Sequence, residues 1–124
     1  MPEEERMSET KMVEPAKWDE FLNGFSERNR GRRARFELFR RDGEVAEEGQ
    51  EGYFESASID DEAITITRID KSKREEYEMK DRIPNIHGIA VQLDSDGSDN
   101  TLELTNARGD MTVLHFESTI DGDS

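Results

Sequence analysis

Trp18, Phe21, Leu22 and Phe25 stand at i, i+3, i+4 and i+7, the spacing that puts four apolar side chains on one stripe of a helix. Beyond Gly31 the period changes to two. Phe36 and Leu38 alternate with Arg35, Glu37 and Phe39; Tyr53, Ala57 and Ile59 alternate with Ser56 and Ser58; Ile64 and Ile66 alternate with Thr65 and Thr67. Such alternation marks half-buried strands. One helical stripe followed by strands points to an α+β architecture in which the stripe covers a face of the sheet.

The helix has recognisable ends. Pro15 suits its first turn, where a missing N–H is harmless, while Asp19 and Glu20 lie toward the positive end of the peptide dipole and Arg28 and Arg30 toward the negative end. Gly31 is the expected terminator. Asp42-Gly43 closes the first strand, and Asp60-Asp61 separates the next two in the manner of a hairpin. The polar run 70–82 reads as an exposed strand around Tyr77 and Met79. After it, IAVQL (89–93), TLELT (101–105) and MTVLHF (111–116) are separated by DSDGSDN and NARGD, which suggests two consecutive hairpins. In the last strand Leu114 and Phe116 are expected to face the core, with Val113 and His115 on the other side.

The expected fold is therefore one N-terminal amphipathic helix packed on an antiparallel sheet of about six or seven strands. Apolar residues concentrate in residues 15–117, which read as a single domain. Residues 1–14 and 118–124 offer little to bury and read as flexible acidic tails.

A chain that is 31% hydrophobic and 39% charged has a composition compatible with disorder. The six Phe, two Tyr and Trp18, placed at regular spacing between turn signals, argue instead for a packed body. Thirty-one acidic residues against seventeen basic ones leave a net charge of −14. A surface of that charge repels itself at low salt, and at about 1 M salt the repulsion is screened within about 3 Å, so a halophilic, salt-adapted surface is expected. The absence of cysteine excludes a disulfide framework, a thiolate nucleophile and a cysteine zinc site. No stretch approaches the roughly 20 apolar residues of a bilayer span, and MPEEER does not resemble a secretory signal. A cytoplasmic location is the expectation.

Against this acidic background, RNRGRRARFELFRR (28–41) holds seven of the twelve arginines. Arg32, Arg33 and Arg35, interleaved with Phe36 and Phe39, form the pattern of a nucleic-acid groove. The next segment, 42–55, carries Asp42, Glu44, Glu47, Glu48, Glu51 and Glu55 and no basic residue. If the two segments pair as strands, the arginines are neutralised within the chain, and a nucleic-acid partner is disfavoured.

The loop DSDGSDNTLE (94–103) has carboxylates at short intervals, but with Asp94 at position 1 its glycine falls at position 4 and Thr105 occupies position 12, so it departs from a calcium-binding loop. His87 and His115 show no metal-ligand spacing. His87, in the connection IPNIHG, is the one candidate for an enzyme using a histidine with a nearby carboxylate. No nucleophile elbow, phosphate loop or dinucleotide fingerprint is present.

KWDEFLNGFS, the strand holding Ile64 and Ile66, the connection IPNIHGI, and the closing TLEL and DMTVLHF together resemble a family of small bacterial proteins known only as a domain of unknown function. The basic RNRGRRAR segment departs from that family's pattern. The resemblance implies a compact α+β domain and brings no catalytic residue or cofactor. The resulting expectation is a non-enzymatic protein-interaction or accessory module with an unknown protein partner, no catalytic, metal or cofactor site, and a monomer as the default state.

Overall fold

The computed structural model describes residues 9–42, 45–48, 52–72 and 74–117; residues 1–8 and 118–124 of the expected tails, and Gly43, lie outside them. Helix α1 (Trp18–Asn29) is entered through a 3-10 turn at Pro15–Lys17, where the Lys17 N–H donates to the Glu14 carbonyl at 2.8 Å. Its buried residues are Leu22, Phe25, Ser26 and Asn29. That stripe has the expected period but starts one turn later. Trp18 and Phe21 sit half-buried at the margin, with the indole N–H of Trp18 donating to the Val13 carbonyl at 2.9 Å. Gly31, at φ +93°, ends the helix in a conformation that a Cβ would oppose.

Nine strands follow the chain: β1 (Glu9–Val13), β2 (Arg33–Phe39), β3 (Val45–Glu48), β4 (Gly52–Asp60), β5 (Ala63–Asp70), β6 (Tyr77–Ile83), β7 (Ile86–Leu93), β8 (Asp99–Asn106) and β9 (Met111–Phe116). Eight of them lie in the order β1-β7-β8-β9-β2-β4-β5-β6, and β3 pairs β2 off this path. Every pairing is antiparallel.

The α+β architecture is the expected one, but the sheet exceeds six or seven strands and the helix is not the first element. Glu9–Val13, expected within a flexible tail, pairs with β7 and sets Val13 opposite Ile89, where Val13 packs on the core. The strand satisfies backbone groups that β7 would otherwise leave open.

The sheet is strongly curved. Only Pro84 and Asn85 join the end of β6 to the start of β7, although five strands separate those two in the sheet order. In a flat sheet they would stand six spacings, about 29 Å, apart. Three Cα steps span at most about 11 Å. The sheet therefore curls until its two flanks meet at this end, and the Ile86 N–H donates to the Glu62 carbonyl of the β4–β5 turn at 2.9 Å. That turn is made by Asp61 and Glu62 (φ 58° and 65°), not by Asp60-Asp61, because β4 continues through Asp60.

The curl encloses the core: Leu22 and Phe25 from α1 meet Phe54, Ile64, Ile66, Leu102, Leu104 and Leu114. Phe25, Phe54 and Phe116 contact one another with ring centroids 5.5 to 5.7 Å apart. Alternation in β4 had placed Tyr53 inward with Ala57. Instead Phe54 is fully buried, because a bulge between Phe54 and Ser56 inserts one residue and reverses the parity. Leu114 and Phe116 face the core as expected, while Val113 on the other face is also buried.

Candidate functional site

The arginine segment runs from the last turn of α1 into β2, so its side chains diverge. At the helix end, buried Asp99 organises a cluster. Arg28 Nε donates to Asp99 Oδ2 at 3.0 Å, and Asn29 Nδ2 donates to the same oxygen at 2.8 Å. Arg32 Nη1 donates to Asn29 Oδ1 and to the Asp99 carbonyl, both at 2.8 Å, and its Nη2 donates to the Glu117 carbonyl at 2.8 Å. The Arg32 guanidinium also lies 4.6 Å from the centroid of Phe116, within cation–π range. Burial lowers the pKa of Arg32, an effect opposed by the carboxylates of Asp99, Asp94 and Asp96. Arginine remains charged throughout the ordinary pH range, so the cluster acts as a fixed clasp between α1, β8 and β9.

β2 pairs with β3 and with the start of β4, so segments 28–41 and 42–55 do lie side by side. Arg30 reaches Glu55, donating from Nε to its carbonyl at 3.1 Å and standing 3.9 Å from its carboxylate. Arg33 also approaches Glu117, at 3.7 Å, and the register sets Glu37 opposite Glu48. Glu44 and Glu51 lie outside the described residues.

Of the three sequence candidates in this segment, Arg32 and Arg33 are thus engaged inside the chain. Arg35 is exposed on the outer face opposite His115. Among the described residues, the side chains of Arg35, Arg40 and Arg41 form no ion pair. Arg40 and Arg41 line an open groove with Asp42, Arg108 and Asp110. There the Arg41 N–H donates to Asp110 Oδ1 at 3.2 Å, and Arg108 Nε stands 3.6 Å from Asp110 Oδ2.

The histidines separate. His87 is exposed near the start of β7 and, among the described residues, hydrogen-bonds to no carboxylate. His115 stands with Nε2 2.6 Å from Glu37 Oε1 on the outer face of the sheet. Sequence reasoning missed this pair because the β2–β9 register that creates it joins residues 78 apart. The loop DSDGSDN forms the β7–β8 turn: Asp94 N–H donates to the Ser98 carbonyl at 2.8 Å, and Gly97 takes φ +88°. Among the described residues no group of three or more His, Asp or Glu is placed to hold a metal ion.

The main path of the sheet ends on β1 and β6, whose outer edges have no strand partner among the described residues; β3, which pairs β2 alone, likewise has one edge without a partner among them. The exposed large hydrophobic side chains among those residues are Met12 on β1, 74% exposed, and Tyr77 on β6, 48% exposed. Beside β1, Val13 and Phe21 line an open groove with Lys17, Glu20, Gly24 and Arg28. Sequence signals for the two edges were slight, since ETKMV lay in an apparent tail and YEMKDRI in a polar run. Among the described residues no helix is long and apolar enough to cross a membrane. No family model and no curated protein matches the chain.

Proposed function

We propose that this protein is a small non-enzymatic interaction module of the cytoplasm, adapted to high salt, that takes a protein partner on the open edges of its curved sheet. The observation that carries the reading is that the two end strands of the sheet, β1 and β6, whose outer edges have no strand partner among the described residues, carry the exposed large hydrophobics of those residues, Met12 and Tyr77. An unpaired edge offers a row of N–H and C=O groups to an incoming strand. An apolar side chain on that strand gives such a partner something to bury. The groove at Val13 and Phe21 extends the apolar surface next to β1. The resemblance to small bacterial domains of unknown function accords with this reading.

A nucleic-acid role through the arginine segment is the second reading, and one feature favours it: the groove formed by Arg40, Arg41 and Arg108. Against it stand Asp42 and Asp110 in the same groove, the internal engagement of Arg28, Arg30, Arg32 and Arg33, and the net charge of −14.

The test of the interaction reading is a photoreactive residue placed in turn at Met12, at Tyr77 and at Asn23, which is exposed on α1. Adducts in the producing cell at the first two positions and not at Asn23 are expected. Equal yields at all three, or none at the edges, would overturn the reading.

A further inference from the structure

Strand β6 is polar, yet its charges follow a rule. Glu78, Lys80 and Arg82 stand opposite Ile69, Thr67 and Thr65 of β5 and share one face; Tyr77, Met79, Asp81 and Ile83 share the other. Glu78 and Lys80 already approach each other to 3.9 Å along the strand, and their side chains are 58% and 63% exposed.

We infer that the outer edge of β6 pairs antiparallel with β6 of a second copy of this chain, about a two-fold axis at Met79. In such a pairing directly opposite residues lie on the same face with Cβ atoms about 4.5–5.5 Å apart, and the two-fold makes the interface self-complementary. Centring on Met79 sets Glu78 opposite the partner's Lys80 and Lys80 opposite the partner's Glu78. It also sets Glu76 opposite the partner's Arg82, Tyr77 opposite the partner's Asp81, and Met79 opposite its own copy.

Neighbouring centres fail on charge. Centring on Glu78 opposes two glutamates, on Lys80 two lysines, and on Asp81 two aspartates together with Lys80 against Arg82. Like charges directly opposite destabilise a sheet pair. The Met79 register alone among these four opposes no like charges and gathers four opposite-charge pairs, counting both halves of the two-fold: two between Glu78 and Lys80 within β6, and two that draw on Glu76, one residue before the strand begins. Edge β1, with the sequence ETKMV, centred on Thr10 would set Glu9 opposite the partner's Lys11 and so gather two opposite-charge pairs, against four at β6.

This inference rests on reading the sheet edges as docking elements and assigns the partner of one of them. It is tested on the full chain by light scattering and sedimentation over a range of concentrations in about 0.15 M salt. There charges beyond about 8 Å are screened while contact pairs persist. The mass of the wild type is expected to rise with concentration from 14.3 kDa towards twice that value.

Glu78→Lys and Lys80→Glu should each remain at the monomer mass, because each opposes like charges across the axis. An equimolar mixture of the two should regain dimer, since one chain then presents two lysines to two glutamates; the double exchange in one chain should regain it as well. Both positions are exposed, and circular dichroism checks that each variant keeps the wild-type fold. A wild type that stays at monomer mass at every concentration, or single variants that associate as the wild type does, would overturn the pairing. Edge-confined adducts in the cell alongside a monomeric purified protein would leave the interaction reading standing without it.

Discussion

Ser26 accepts a hydrogen bond from the backbone N–H of Ala57 at 2.9 Å, so a helix side chain completes the edge of a strand. Among the described residues β2 pairs with β4 at Gly52 and Tyr53. Just beyond, Gly31 and Arg32 continue the ladder through Phe54, with the Gly31 N–H donating to the Phe54 carbonyl and the Phe54 N–H to the Arg32 carbonyl, both at 2.8 Å. Past the bulge the edge faces α1, and Ser26 meets it there, its hydroxyl lying 2.8 Å from the Leu22 carbonyl and 3.1 Å from that of Ala57. The substitution Ser26→Ala leaves the Ala57 N–H buried without its partner, at a cost of about 1–3 kcal/mol. Urea unfolding should show a lower midpoint with an unchanged slope.

Asp99 and Glu117 both receive arginines but differ in burial, and their removal should differ accordingly. Asp99 is buried and binds Arg28 and Asn29; Asp99→Ala leaves buried donors of Asn29 short of a partner and should cost about 1–3 kcal/mol. The Arg33–Glu117 pair is 3.7 Å long with both side chains largely exposed. Glu117→Ala should cost less than about 1 kcal/mol, all the more because Arg32 binds the Glu117 carbonyl, which the substitution retains. Paired thermal melts of the two variants separate the cases.

Local period carried most of the fold. One helix, alternating strands and the closing hairpins follow from spacing and turn residues, because those signals act within a few residues. What escaped depends on parity or on distant pairing. The bulge after Phe54 exchanged the faces of Tyr53 and Phe54, and no turn residue marks it. Arg68 shares the inward parity of Ile64 and Ile66. It lies 4% exposed with its guanidinium 4.4 Å from the centroid of Phe36, and burial lowers its pKa against the opposing charge of Asp81. Parity alone signalled that position, and its charge obscured it. Asp99 meets Arg28 across 71 residues and Glu37 meets His115 across 78, so the arginine clasp and the outer-face pair needed the strand order. Strand β1 escaped because ETKMV has few apolar residues and gains its place only from the edge of β7.

The charge of −14 on a chain of 124 residues sets a second expectation. Repulsion among surface carboxylates opposes the compact state, and its range falls from about 10 Å at 0.1 M salt to about 3 Å at 1 M. The clasp around Asp99 is partly buried and is less exposed to screening. Thermal stability should therefore rise between low and molar sodium chloride. A flat or falling midpoint would remove the case for a salt-adapted surface.

The arginine segment yields the last expectation. Phosphate binding depends on the number of cations free to displace counterions. Arg28, Arg30, Arg32 and Arg33 are held by Asp99, Glu55, the Asp99 carbonyl and Glu117, while Arg40 and Arg41 share their groove with Asp42 and Asp110. The surrounding body repels a polyanion at long range. Labelled single- and double-stranded DNA and RNA in about 50 mM salt, where non-specific binding is strongest, should show no salt-sensitive association. Charge reversal at Arg40 and Arg41 should leave that result unchanged. Micromolar binding that these two substitutions abolish would instead make the groove beside Arg108 the functional site and the sheet edges secondary.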